Sequence, residues 1–87
     1  MSVVFGIHAL KRMPERGTTV AEVEDVLRSG DSDEARPGYA ARTKVFAFGK
    51  PWAGKAYPEK RVRVIYIDEG DTTVVVTVYV YYGSWSK

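Results

Sequence analysis

The stretch IHALKRMPERG, residues 7 to 17, holds the chain's single histidine, His8, with Arg12 and Arg16 following at steps of four. A step of four returns to the same side of a helix, so one face would read His, Arg, Arg. Imidazole is the side chain whose unperturbed pKa lies near neutrality, which suits it to accept a proton. Guanidinium is always charged, and its planar fork matches phosphate oxygens. Together they describe proton transfer beside a phosphate. A plainer assignment exists for each residue. His8 would donate to a backbone carbonyl, Arg12 would pair with Glu15 or Glu24, and Arg16 would bond the last helix carbonyls.

The charge pattern extends the phosphate theme. Net charge is only +2. From Ala35 to Ile67, however, Arg36, Arg42, Lys44, Lys50, Lys55, Lys60, Arg61 and Arg63 face Glu59 alone. Acids outnumber bases on either side of this block. Tyr39, Phe46, Phe48, Trp52, Tyr57 and Tyr66 are interleaved with it. Basic and aromatic side chains together suit a surface that holds phosphates and stacks bases. The same residues would also serve as solvated strand positions that guard sheet edges.

Composition narrows the class. A chain of 87 residues makes one domain, spanning residues 1–87. A hydrophobic content of 45% excludes a disordered chain. No apolar run reaches the length of a membrane span, and the N-terminus lacks the charged-then-apolar order of a signal peptide. A cytoplasmic protein with no membrane partner is expected. Absence of cysteine removes disulfides and thiolate metal sites, and a single histidine argues against zinc. No metal and no cofactor are expected.

The elements that must position these side chains run helix, helix, then strands. The first helix is expected from near Gly6 to about Met13. Pro14 disfavours helical geometry at Met13 and would place Arg16 in the following turn, off the His8–Arg12 line. The second helix opens with a capping box, Thr19 and Glu22, each side chain bonding an orphan backbone N–H. It carries the stripe Val20, Val23, Val26, Leu27 and ends at Gly30. Strands are expected over Arg42–Phe48, Arg61–Ile67 and Thr72–Tyr82. Residues 49 to 60 read as a long loop, and Asp68 to Asp71 as a tight hairpin. In the last strand Val74, Val76, Val78 and Val80 are expected toward the helices. Thr73, Val75, Thr77, Tyr79 and Tyr81 would point away from them.

This pattern resembles a small family of uncharacterised prokaryotic domains. The shared features are His8-Ala9, Arg12-Met13 and Arg16-Gly17 at fixed spacing, then Glu22-Val23 and Val26-Leu27, and a final Val76-Thr77-Val78-Tyr79. That family in turn is similar to the RelE-like toxins of the barnase–EndoU–colicin–RelE group. The resemblance implies an α+β fold, with two N-terminal helices on one face of a three- to four-stranded antiparallel sheet. It implies an RNA site on the open face. It also implies a metal-independent endoribonuclease, possible partners being the ribosome and an antitoxin protein.

Metal-free cleavage uses the RNA 2′-hydroxyl as nucleophile. It needs a proton acceptor, a proton donor for the leaving oxygen, and cations for the phosphorane. His8, Arg12 and Tyr79 are the catalytic candidates. Arg16, Lys44, Arg61, Arg63, Thr77 and Tyr81 are the candidates for RNA binding. The alternatives are a non-catalytic RNA- or protein-binding module, and a structural homodimer paired through the last strand.

Overall fold

Long runs of Val, Ile, Thr and Tyr favour extended backbone. The computed structural model describes residues 2–85. Its elements are β1 (Ser2–Phe5), α1 (Ile7–Arg16), α2 (Val20–Ser29), β2 (Asp31–Asp33), β3 (Ala40–Trp52), β4 (Lys55–Glu69) and β5 (Thr72–Gly83). The sheet order is β1-β5-β4-β3-β2. β1 pairs with β5 in parallel, and the other pairs are antiparallel. The α+β layout with N-terminal helices is as expected, but the sheet is five-stranded and mixed. The two extra strands are short: β1 is SVVF and β2 is DSD. Neither has a legible alternation, and pairing with a longer neighbour makes each a strand. No helix among the described residues is long and apolar enough to cross a membrane.

Both helices cover one face of the sheet. Ala9 and Met13 of α1 and Val23 and Val26 of α2 are buried against Val62, Val64, Tyr66, Val75 and Val78. β5 alternates less simply than its sequence suggests. Val76 is an extra residue, since Ile65 pairs with Thr77 while Tyr66 pairs with Val75. A bulge of this kind reverses which parity faces inward. Thr73 and Val75 are therefore buried before it, and Val78 after it. The expected division of β5 holds only after the bulge, for residues 77 to 81.

Residues 49 to 60 form a hairpin instead of a loop. β3 and β4 continue to Trp52 and Lys55, with Ala53 and Gly54 between them at φ +53° and +82°. Two positive-φ residues make the turn that matches strand twist. Phe48 and Gly49 bulge opposite Pro58, a residue with no N–H to offer the ladder. The second hairpin, through Gly70 and Asp71, is as tight as expected.

α1 runs through Pro14 to Arg16, three residues beyond its expected end. Bonds from outside hold its last turn. The N–H groups of Gly17 and Thr18 both donate to Met13 O, Tyr82 Oη donates to Arg16 O at 2.7 Å, and Arg16 Nη1 donates to Val78 O at 2.6 Å. β5 is interior where β1 covers Thr72–Val75. Beyond that point Arg16 of α1 occupies its edge.

The capping box is half formed. Glu22 N–H donates to Thr19 Oγ1, but the Glu22 carboxylate accepts from Thr18 Oγ1 at 2.9 Å and from Lys60 Nζ at 2.8 Å. Lys60 is buried and also donates to Gly17 O. Its ammonium lies over the Phe48 ring. Trp52 stacks on Tyr82, with Phe48 and Tyr57 beside it. Burial, with Glu22 nearby, pushes the Tyr82 phenol above its usual pKa, so it stays a neutral donor. Gly17 takes φ +88°, and a Cβ there would overlap the Tyr82 hydroxyl and lie 3.0 Å from Trp52.

Gly17→Ala is expected to cost on the order of 2 kcal/mol, through the left-handed φ and the clash together. Lys60→Met is expected to cost about 3 kcal/mol, because it strands the Glu22 carboxylate; adding Glu22→Gln should recover part of that loss. Urea unfolding curves of the three variants check both.

Candidate nucleic-acid interface

The face without helices is built by register. Residues directly opposite in an antiparallel pair point to the same side. Arg63 of β4 lies between Thr43 of β3 and Tyr79 of β5. Arg61 lies between Val45 and Tyr81, and Ile65 between Ala41 and Thr77. Two Arg–Tyr rungs therefore stand side by side, about 6.7 Å apart along the strands. Arg16 reaches this surface from the edge, its guanidinium carbon 4.9 Å from the centre of the Tyr79 ring.

Two clefts open here. The first has a volume of about 160 Å³ and is lined by Arg36, Tyr39, Arg63, Ile65, Thr77 and Tyr79, with Ala35 and Val76. The second is wider and is lined by Asp33, Glu34, Arg61, Arg63, Tyr81 and Trp85. The segment after β2 forms their rim. Arg63 Nε donates to Asp33 Oδ2 at 3.1 Å, and its Nη2 donates to Glu34 O. Arg61 Nε donates to Thr43 Oγ1, and its terminal nitrogens make no hydrogen bond among the described residues. The Glu34 N–H and the Arg63 guanidinium hold the Asp33 carboxyl below its usual pKa.

The sequence candidates divide between two regions. Arg61, Arg63, Thr77, Tyr79 and Tyr81 share the open face, and Arg16 joins them. Lys44 does not. Its parity puts it on the helix side, where Nζ bonds Asp25 Oδ2 and Ser29 Oγ of α2 at 2.9 Å. Arg12 pairs with Glu15 at 2.7 Å, and its Nε is shielded without a partner among the described residues. His8 is exposed in the first turn of α1. Neither His8 nor Arg12 lines either cleft. The step-of-four line drifts by about 40° per step around the helix, so it runs from solvent at His8 to the sheet edge at Arg16.

Arg36, Tyr39 and Trp85 belong to the clefts without having been candidates. A signal for the first two is present in Arg36-Pro37-Gly38-Tyr39. Proline then glycine makes a tight turn that brings its flanks together. Tyr39 N–H donates to Arg36 O at 3.0 Å, Gly38 has φ +90°, and the Arg36 guanidinium carbon lies 5.8 Å from the Tyr39 ring centre. Trp85 is placed by its own N–H, which donates to Glu59 Oε1 at 2.6 Å, and nothing local foretells that bond.

A family model described as "Domain of unknown function (DUF4258)" matches residues 5–80 of the chain. No curated protein and no solved structure matches it.

The Asp33–Arg63 contact sets a pH dependence. A carboxyl with a lowered folded pKa stabilises the fold above its unfolded value, near 3.8, and that contribution is lost as pH falls through the folded value. Asp25 and Glu15 act in the same direction, through Lys44 and Arg12. Asp33→Asn is therefore expected to flatten the acid side of the stability profile below about pH 4. Urea midpoints measured against pH check this, and an unchanged acid limb would contradict it.

Proposed function

The chain belongs to the DUF4258 family, whose description assigns no activity, and we propose from its open face that it binds single-stranded RNA. One observation carries this: Arg61 with Tyr81, and Arg63 with Tyr79, form adjacent cross-strand rungs on the face the helices leave uncovered. Rings stack bases, and guanidinium forks take phosphate oxygens. The rung spacing suits successive nucleotides of an extended strand. A two-helix layer on the opposite face accords with the RelE-like layout that the sequence resembles, and that resemblance points to RNA as well.

Cleavage is the second reading, and Tyr79 favours it. The Arg16 guanidinium lies over its ring, and Arg63, its register partner on β4, lines the same cleft. In this chemistry the 2′-hydroxyl oxygen attacks phosphorus and gives up its proton, while the 5′-oxygen leaves and is protonated. A phenol can relay a proton, and two cations can stabilise the phosphorane. An antitoxin in this reading would cover the open face.

Binding is tested by fluorescence anisotropy with a mixed-sequence RNA oligomer. Arg61→Ala and Arg63→Ala should each weaken binding and reduce the slope of log affinity against log salt by about 0.7. Wild-type affinity and slope in both variants would remove the open face as the binding surface. Cleavage is tested by incubating the chain with total RNA and with ribosomes in the presence of chelator. Tyr79→Phe is expected to slow cleavage at least tenfold, on the order of one acid–base contribution, and His8→Ala to leave it active. Loss in His8→Ala and Arg12→Ala, with Tyr79→Phe active, would move the chemistry to α1.

A further inference from the structure

We propose that the first cleft receives one single-ring base of the bound RNA strand, and that the base is uracil. This rests on the RNA reading above and deepens it from a surface to a base preference.

Size is the first argument. The cleft holds about 160 Å³. An apolar cavity of about 150 Å³ takes one benzene ring. A six-membered pyrimidine fits such a space, whereas a fused purine carries a second ring beyond it. The walls give the second argument. Tyr39 comes from the segment before β3 and Tyr79 from β5, so two rings border one small cleft. Each has a guanidinium beside it, Arg36 at Tyr39 and Arg16 at Tyr79. Ile65 and Val76 supply apolar lining where a base would leave water.

Hydrogen bonding separates uracil from cytosine. The Val76 bulge sets Thr77 opposite Ile65, in the lining of the cleft. Thr77 Oγ1 is shielded from solvent and has no hydrogen-bond partner among the described residues. A desolvated hydroxyl without a partner is unfavourable, and rotation about χ1 can turn it to a ring edge. A hydroxyl both donates and accepts, whereas Arg36 and Arg63 only donate. Uracil presents two carbonyl oxygens to such donors and an N3–H to the hydroxyl. Cytosine replaces one carbonyl with an amino group, which would meet a guanidinium donor to donor.

The test compares oligouridine, oligocytidine and oligoadenosine of equal length, with free uridine monophosphate, by anisotropy and by competition at one salt concentration. Oligouridine is expected to bind about tenfold more tightly than the other two, and free uridine monophosphate to compete weakly. Thr77→Val keeps the β-branched shape and removes the hydroxyl. It should bring the oligouridine-to-oligocytidine ratio close to one. Tyr39→Ala, on an exposed segment, should lower the preference over oligoadenosine, with circular dichroism melts confirming that both variants fold. Equal binding of all three oligomers by the wild type would overturn the uracil pocket while leaving the RNA surface standing. Binding of none would overturn both. Tight binding of free uridine monophosphate without oligouridine binding would also overturn the proposal, because the ligand would then be a nucleotide rather than a strand.

Discussion

The Lys60 ammonium is the point at which helices and sheet are tied together. It is buried, bonded to Gly17 O and Glu22 Oε1, and seated over Phe48. A charge taken out of water must be matched closely, so its partners have little freedom to move. One partner is the turn between the helices and the other is the first turn of α2. Lys60 itself sits on β4, in the row of Phe46 and Tyr82. The α1–α2 turn is thereby pinned to the central strands. The long hairpin folds its aromatic side chains over the same turn, and Tyr82 closes the arrangement by donating to Arg16 O.

This constraint explains most of the N-terminal motif without chemistry. Ala9 and Met13 are core residues, Gly17 allows the close approach of Tyr82 and Trp52, and Arg16 caps the β5 carbonyl at Val78. His8 and Arg12 remain on the outer flank. The cationic and aromatic side chains of the clefts gather on the other face, where strand register places Arg61, Arg63, Tyr79 and Tyr81. Arg16 belongs to both sets, since its Nη1 bonds the strand edge while its guanidinium lies over Tyr79. Any force that moved α1 relative to β5 would be felt at that ring.

The open face is less positive than the central sequence block implies. Lys44 and Lys60 face the helices and are paired with Asp25 and Glu22. Arg63 is held by Asp33. The face is thus a small number of placed guanidinium groups among rings, with acids at its rim. Such a surface favours chosen contacts over diffuse attraction, consistent with binding that reads a strand locally.

Much of the fold was legible along the chain. The α2 stripe of Val23, Val26 and Leu27, without the exposed Val20, its Thr19 cap, the Gly30 end, the meander and the Asp68–Asp71 turn all follow from periodicity and turn chemistry, which are local forces. The parity that put Tyr79 and Tyr81 together was legible for the same reason. Other features were decided only by tertiary contact. β1 and β2 exist because longer strands offer unpaired edges. α1 passes Pro14 because Tyr82, Val78 and Gly17 hold its end. The Val76 bulge reverses half of β5, and Lys44 and Lys60 lie inside a positive block yet are neutralised from α2. Periodicity reports which residues share a face. It does not report which face is covered or which charge meets which, because those depend on partners distant in sequence.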